Sequence, residues 1–449
     1  MVKTVSVTHR EYLALAFPLI LSGLSTPLLG AADTAVVGQL PDPAYIGGVA
    51  VGTLIFNYLY WVLGFLRVST SGFTAQALGA NNQQELLMFL ARPLGIALLM
   101  GSLFILLQVP IKQTALLLLD SGPIVEAQAE SYFDIRIWGA PFALANYVIL
   151  GWLIGISKVK LGLYLQIFMN VLNILLDFLF VMGLQWGVPG VAIATLISEV
   201  SGTGAGILLL AASRKVDSKE WSWSSYWDYS SFLKMFKVNR DLFIRTLCLL
   251  AVFGLFTAHG SGLGDMTLAV NAILMQLQFI LAYFFSGIAN AASILVGKAI
   301  GSRNEGLFQR TIQLTVFWSF LASGFLVAVL FLAEEPILSV FTGIEEVKVL
   351  ASDYLPWLFL YAFGIFWGLQ LEGIYAGATN AKPVRNSMIL SLLVFLLSVW
   401  LLLPIWGNHG LWCAFVLFSL SRSLFSWAYL PGLKRDLFGP GTGITLTVK

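Results

Sequence analysis

The sequence LALAFPLILSGLSTPLLGAADTAVVG, residues 13–38, decides the class of fold. It is long enough to cross a bilayer, whose hydrocarbon core takes about 20 helical residues. It is too long for the apolar core of a signal peptide, so we interpret it as a first membrane span. Its one charged residue is Asp33. Because an ionised carboxylate in hydrocarbon is costly, Asp33 is a candidate functional residue; a structural Asp paired with another helix is the alternative.

The rest of the chain has the same apolar character. Of its 449 residues, 58% are hydrophobic and only 11% are charged, whereas soluble domains carry about 25% charged residues. We therefore predict an all-α integral membrane protein with twelve membrane-spanning helices. The predicted spans are residues 12–38, 44–68, 86–110, 126–153, 161–183, 188–212, 239–260, 266–296, 307–332, 350–376, 386–405 and 409–431.

The distribution of charge predicts orientation and excludes some partners. Most of the 25 Lys and Arg residues fall in alternate connections, which predicts a multi-pass protein of the cytoplasmic (inner) membrane with both termini in the cytoplasm. These residues are dispersed, so we expect no nucleic-acid partner. The longest connection, residues 213–240, mixes charge with Trp and Tyr, which predicts an amphipathic helix at the inner surface. The two cysteines lie in apolar stretches and imply no disulfide framework.

The chain contains an internal repeat. Tyr132 and Tyr354 are 222 positions apart, and the same shift relates Gly155 to Gly377. Each half holds six predicted spans, so the repeats run parallel in the membrane. We predict an N-lobe over residues 1–212, a cytoplasmic linker over 213–238 and a C-lobe over 239–449. Parallel repeats of this kind are a transporter architecture with the substrate site between the halves.

A polar group marks the first half. Asn170, Asn173 and Asp177 are spaced i, i+3, i+7, which places them on one helix face. From the helical rise, Asp177 lies about 12 Å and Asp33 about 9 Å below the outer surface. Thr195 lies at a similar depth. We predict a site for a proton or small cation at Asp33, Asn173, Asp177 and Thr195.

Further residues are predicted to support that site. Tyr132 lies beside it, Asn170 shares its helix face, and Glu199 follows Thr195 by one turn. Burial and a neighbouring carboxylate both favour the protonated form of a carboxyl group, so the two aspartates can exchange a proton as one coupled unit. The same oxygen ligands would also suit Na⁺, and the sequence does not separate the two ions.

The second half lacks this group. A shift of 222 from the four site residues leads to the apolar residues Leu255, Phe395, Val399 and Leu417. We interpret the asymmetry as one ion-binding lobe and one largely apolar lobe. The alternative is a satisfied polar network that only fixes the register of the helices.

The remaining charges within spans are interpreted as structural. Arg67, Arg245 and Glu372 fall near inner span ends, where side chains snorkel or pair. Arg422 is predicted to pair with an acid across the two halves. Asp134 and Arg136 are placed at the outer rim.

Several kinds of function find no support in the sequence. There is no GxxxxGK[ST] loop for ATP, the three histidines show no metal spacing, and no Ser/His/Asp group suggests hydrolysis. A membrane-embedded transferase would need catalytic groups at an interface loop. We therefore expect that the protein is not an enzyme and has no catalytic residue, cofactor or metal centre. We expect a monomer whose partners are small amphiphilic molecules and lipids.

The sequence resembles the multidrug and toxic compound extrusion (MATE) family. The resemblance rests on twelve spans in two parallel halves, on Phe17-Pro18-Leu19-Ile20 opening the first span and on Asp33 near its end. The stretch Asn173-Ile174-Leu175-Leu176-Asp177 with Thr195 is similar to the DNA-damage-inducible protein F-like branch of that family.

The resemblance implies a V-shaped pair of lobes and cation-coupled export of varied cationic, amphiphilic drugs by alternating access. It implies that Asp33, Asn173, Asp177 and Thr195 form the cation site and that Pro18 allows the first helix to bend. The sodium-coupled branch carries acids in the middle of the seventh and tenth spans. The sequence departs from that pattern, which favours proton coupling. A sodium-coupled exporter and a lipid-linked oligosaccharide flippase of related fold are the alternatives.

Overall fold

The computed structural model describes residues 7–39, 43–119, 122–213 and 221–438, with the side chains of 26–29, 31–35 and 43 left out. The first half is built from helices joined by short turns. A single 3₁₀ turn, Ile137–Gly139, links α6 to α7, and a π-helical segment, Phe178–Gly183, extends α8. The helices are α1 (His9–Val37), α2 (Pro43–Val62), α3 (Phe65–Gly79), α4 (Gln83–Leu106), α5 (Gln108–Leu119), α6 (Pro123–Arg136), α7 (Ala140–Gly155), α8 (Val159–Asp177) and α9 (Gly187–Ala212).

The second half is also built from helices joined by short turns. Its helices are α10 (Trp223–Tyr226), α11 (Tyr229–Ser261), α12 (Asp265–Gly301), α13 (Glu305–Leu332), α14 (Glu334–Phe341), α15 (Glu345–Gly377), α16 (Lys382–Trp406), α17 (Asn408–Ala428) and α18 (Leu430–Phe438). Within the described residues, eleven helical stretches are long and apolar enough to cross a membrane. Helix α1, some of whose side chains are left out of that description, corresponds to the remaining predicted span, residues 12–38.

The predicted surface helix between the halves is only partly found. Residues 214–220 lie outside the described residues. Beyond them the structure has a single helical turn, α10, and then α11, which begins at Tyr229, ten residues before the predicted span. Arg92 fixes this turn, because its Nε donates to the carbonyl of Tyr226 at 3.2 Å and its guanidinium also bonds the carbonyl of Ser225.

The internal repeat is present in the turns. Residues other than glycine seldom adopt a positive φ, yet Asn81 and Arg303 both have a φ of 53°. The next residues, Asn82 and Asn304, cap α4 and α13, where each side-chain oxygen accepts a backbone N–H at 3.0 and 2.9 Å. Left-handed residues recur at the same shift of 222 in two more turns: Ser157 with Thr379, and Gln185 with Gly407.

The repeat is also present in the closest helix contacts. In the first half, a Cβ at Gly151 would lie 2.5 Å from the carbonyl oxygen of Arg67. In the second half, a Cβ at Gly373 would clash with the carbonyl oxygen of Ala289, and both residues are 222 positions further along. Gly155 and Gly377 repeat the contact one turn later. Glycine is therefore required where α3 meets α7 and where α12 meets α15.

The chain forms two compact units, one of Leu21–Phe236 and one of Met1–Ile20 with Lys237–Lys449. They differ from the predicted lobes because the first part of α1 packs in the C-terminal unit. Tyr12 is bonded there to Thr315 at 2.9 Å. A Cβ at Gly287 would lie 2.6 Å from the backbone nitrogen of Ile20, so α12 approaches α1 closely just after the buried Pro18.

Candidate functional site: two polar clusters on helix α9

The predicted polar face of α8 is buried. Asn173 and Asp177 are each 1% exposed and Asn170 is 9% exposed, so the i, i+3, i+7 spacing does place the three residues on one inward face. Asp177 is the last residue of α8, directly before the π-helical segment Phe178–Gly183. Such segments occur frequently at functional sites, because they change the direction of the side chains that follow.

Asn173 is joined to the next helix. Its Nδ2 donates to the Thr195 hydroxyl oxygen at 3.3 Å, and that hydroxyl donates to the carbonyl of Val191 at 3.1 Å. Thr195 is itself buried. The amide, the hydroxyl and the carboxylate of Asp177 therefore bring several oxygen atoms to the interior of one unit, which suits a proton or a small hard cation.

A further bond connects this face with α1. Asn170 Nδ2 donates to the carbonyl of Ser25 at 3.4 Å, and Gln166 donates to the Asn170 side-chain oxygen at 3.0 Å. Asp33 follows Ser25 by eight residues on α1, but its side chain lies outside the described residues. The ion site predicted at Asp33, Asn173, Asp177 and Thr195 therefore stays a prediction.

A second polar cluster surrounds Tyr132. The Tyr132 hydroxyl accepts hydrogen bonds from Arg136 at 2.9 Å and from Thr53 at 3.3 Å. Arg136 also forms an ion pair with Glu199, with 3.7 Å between Nη2 and Oε1. Its guanidinium lies 4.8 Å from the centre of the Phe56 ring, where a cation is attracted to the aromatic face.

Arg136, placed at the outer rim from the sequence, is largely shielded by neighbouring side chains. Its side chain is only 12% exposed because Glu199 and the rings around it replace water. Asp134, two residues earlier, is half exposed and pairs with Lys112 at 2.9 Å, as expected of a rim residue. The i, i+4 spacing of Tyr132 and Arg136 indicates from the sequence that their side chains can meet. Glu199, which pairs with Arg136, is 63 positions further along, so no local spacing indicates that contact.

Helix α9 carries members of both clusters. Thr195 and Glu199 are one turn apart and therefore share a face. The backbone oxygen of Glu199 accepts a hydrogen bond from Asn146 Nδ2 at 2.9 Å, which fixes α9 against α7. A change of charge at Glu199 therefore acts one helical turn from the hydroxyl that holds Asn173.

The C-terminal unit has a different charged cluster. Its equivalents of Asn173 and Asp177 are Phe395 and Val399, both buried. Elsewhere in the unit, Glu372 accepts hydrogen bonds from Arg245 Nη2 at 2.6 Å and from Arg422 Nε at 2.7 Å. The predicted pairing of Arg422 with an acid across the halves was therefore wrong. Its partner is on α15 of the same unit, a neighbour that no local pattern indicates.

The residues that the structure describes include no group of three or more His, Cys, Asp or Glu side chains placed to bind a metal ion. The candidate ligands for an ion are instead mixed oxygen donors. They are Asp177, Asn173 and Thr195 in the described part of the N-terminal unit.

Comparison with known proteins agrees with the repeat and the fold. A family model described as MatE matches residues 18–179 and 242–401. The chain is 39% identical over 417 residues to DNA damage-inducible protein F of Escherichia coli (strain K12), covering 91% of this chain and 89% of that protein. It is 25% identical to the probable multidrug resistance protein NorM of Agrobacterium fabrum, covering 95% of each.

Solved structures show the same fold. One described as the outward-facing conformation of a multidrug resistance MATE family transporter of the MOP superfamily matches with a TM-score of 0.87 at 19% identity. The match covers 97% of this chain and 98% of that chain. The predicted all-α membrane fold with two repeats is therefore confirmed.

Proposed function

This chain belongs to the multidrug and toxic compound extrusion (MATE) family, and we propose that it exports cationic, amphiphilic compounds in exchange for protons. The family membership makes it a multi-pass membrane transporter rather than an enzyme. Our proposal adds the coupling ion, the substrate class and the location, which is the cytoplasmic membrane with both termini inside. The protein works as a monomer by alternating access.

One observation carries the proposal. The N-terminal unit buries Asp177 on the same face of α8 as Asn173, and Asn173 is bonded to Thr195 of α9. In the second repeat, the positions equivalent to Asn173 and Asp177 lie on α16 and are occupied by Phe395 and Val399. A group needed only to hold six helices together would be expected in both repeats. Its presence in one supports a role in transport rather than in packing.

The geometry suits coupling by charge. Protonation of Asp177 removes one negative charge from a buried site, where charge is expensive. A cationic substrate and a proton then compete for the same carboxylate, or the proton favours the conformation that releases the substrate. A coupling ion shifts a conformational equilibrium only as far as it binds the two states differently. Asp33 is the second proposed carboxylate of this site, and Pro18 is the proposed point of bending in α1.

The experiment measures both substrate and ion. Proteoliposomes containing the purified protein are loaded with ethidium. The proton flux that the ethidium gradient drives is followed with a pH-sensitive dye inside the liposomes. The measurement is made with Na⁺ present and with Na⁺ replaced by choline. We expect ethidium-driven proton flux that is independent of Na⁺. Asp177→Asn should lose the flux while the protein remains folded. Flux that requires Na⁺ would establish sodium coupling instead, and unchanged proton flux in Asp177→Asn would overturn the assignment.

A matched control separates coupling from folding. Asn271 is a buried amide of the C-terminal unit that exchanges hydrogen bonds with Asn408 at 2.8 and 3.0 Å. Asn271→Ala and Asn173→Ala each remove one buried amide. We expect both variants to lower stability, but only Asn173→Ala to weaken the coupling of proton flux to ethidium.

A further inference from the structure

Glu199 is a buried acid of the N-terminal unit to which the proposed function gives no part. It lies on α9 and is 8% exposed. Its Oε1 is 3.7 Å from Arg136 Nη2, which is longer than a charge-assisted hydrogen bond of about 2.7 to 2.9 Å. The guanidinium makes a shorter bond to the Tyr132 hydroxyl, to which Nη1 donates at 2.9 Å. Arg136 is therefore bonded to the phenol and only loosely paired with the acid.

The second oxygen of the Glu199 carboxylate is not bonded by a donor. Oε2 is buried and has no hydrogen-bond partner among the described residues. It lies against Gly139 of the 3₁₀ turn, where a Cβ would be only 2.4 Å away. An ionised carboxylate accepts hydrogen bonds on both oxygens, and a buried charge without such bonds is costly. Protonation removes the charge, so this environment suits a carboxyl group that gains and loses a proton.

Phenols and one guanidinium surround this carboxylate. Four groups lie within electrostatic reach of the Tyr60 hydroxyl of α2: Glu199, Arg136, Tyr132 and Tyr147. The Tyr60 ring is 6.0 Å from the guanidinium of Arg136, and its buried hydroxyl has no hydrogen-bond partner among the described residues. Phenols are neutral near pH 7. The ion pair therefore has no net charge when Glu199 is ionised and a charge of +1 when it is protonated.

Acids on the helices packed against α9 have other partners or another face. Glu130 and Asp134 of α6 are paired with Lys112. Asp177 of α8 lies on the face that is joined to Thr195 through Asn173, and Thr195 precedes Glu199 by one turn. Protonation at either Asp177 or Glu199 therefore adds one positive charge to the same unit.

The pair of Arg136 and Glu199 occurs in one repeat only. A shift of 222 leads from Arg136 to Leu358, which is fully buried, and from Glu199 to Ser421. A pair needed only to pack six helices would be expected in both repeats. A buried acid that one repeat alone carries is more readily explained by a role in transport.

We propose that Glu199 is a second proton-binding residue of the N-terminal unit and that Arg136 responds to its protonation. When the proton leaves for water, the carboxylate attracts the guanidinium away from Tyr132. When the proton returns, the guanidinium stays on Tyr132 and the pair carries a charge of +1, which disfavours a cationic substrate. This inference rests on the proposed function for its part in export, but proton binding itself is measured without transport.

Infrared difference spectroscopy tests the proton directly, because a protonated carboxyl group has a C=O stretch of its own. Spectra of the purified protein in dodecylmaltoside micelles are recorded as the pH is lowered. We expect a band that appears near about pH 7, where exposed carboxyl groups are ionised, and that is lost in Glu199→Gln. Glu130→Gln is the matched control, since this acid of α6 is 51% exposed, and it should keep the band. A band that persists in Glu199→Gln would overturn the proposal.

Two further variants keep Glu199 and predict shifts of opposite sign. Arg136→Gln removes the charge that favours the ionised carboxylate, so the band should appear at a pH about one unit higher. Tyr132→Phe leaves the guanidinium free to approach Glu199, so the band should appear at a lower pH. Shifts of the same sign, or no shift, would contradict the proposed response of Arg136. These variants also decide the matter if thermal unfolding shows that Glu199→Gln does not fold.

The link to export is measured separately. Ethidium is added to the protein in weakly buffered micelles, and proton release is read with a pH-sensitive dye. If the proton and the cation oppose each other, ethidium must expel protons, and fewer from Glu199→Gln than from the unaltered protein. Equal release from both would overturn this opposition. If ethidium expels no proton although the infrared band of Glu199 is present, the proton site stands and the proposed proton coupling of export fails.

Discussion

The two repeats share their backbone but differ in buried charge. Both use a left-handed residue and an asparagine cap after the second predicted span of the half, and both place glycine against a backbone carbonyl at equivalent contacts. The polar clusters do not correspond at all. Backbone geometry and close packing are therefore shared by the two halves, whereas the buried polar side chains differ.

The difference in charge has a direction. The N-terminal unit buries two carboxylates, Asp177 and Glu199, and the guanidinium of Arg136 pairs with Glu199. In the C-terminal cluster, Arg245 and Arg422 face one carboxylate, that of Glu372. Among these residues, carboxylates are in excess in the first arrangement and guanidiniums in the second.

The largest expected effect tests this difference. Glu372→Gln leaves two guanidiniums without a counter-charge, and we expect it to lower the free energy of unfolding by about 3 kcal/mol. Glu199→Gln should cost less, because Arg136 keeps its bond to Tyr132 and its contact with the Phe56 ring. Unfolding of both variants in dodecylmaltoside micelles gives the comparison. Equal losses would show that the two clusters are energetically alike.

A smaller effect tests the shared packing. Gly155→Ala and Gly377→Ala each place a methyl group against a neighbouring helix, with an expected loss of about 1 to 3 kcal/mol in the free energy of unfolding. The losses should be similar, because the two contacts are equivalent. Gly204→Ala is the control, since nothing lies within 4 Å of its Cβ position. A loss confined to one half would contradict the structural repeat.

The smallest effect concerns the caps. Asn82→Ala and Asn304→Ala each remove the side-chain oxygen that accepts an N–H of the first helical turn, that of Glu85 or Leu307, and each should cost about 1 kcal/mol. The same unfolding measurement applies to both. Because the two turns share the same backbone geometry, a clear difference between the variants would show that their surroundings contribute more than the cap itself.

The sequence predicted what depends on local pattern. Hydropathy located the spans, and a fixed shift of 222 revealed the repeat that the turns now show. Helical periodicity placed Asn170, Asn173 and Asp177 on one buried face, because such spacing needs only neighbouring residues. Family membership follows from the same features together with the matched sequences.

Tertiary partners were beyond the reach of a single sequence. Arg136 and Glu199 belong to helices far apart along the chain. The same is true of Arg245, Glu372 and Arg422. Each of these charges, taken alone, could therefore be interpreted as a side chain that reaches the surface. The packing of the first part of α1 in the C-terminal unit was missed for the same reason. It depends on Gly287 meeting Ile20.

That placement of α1 affects how the protein is made. Tyr12 bonds a threonine 303 positions further along, so α1 waits for α13 to be synthesised before this hydrogen bond can form. Domains generally assemble as they are synthesised. Here the C-terminal unit incorporates the first part of α1, which is synthesised well before the rest of that unit. A nascent chain that stops at residue 212 would therefore carry a first helix whose opening turns still lack their final neighbours.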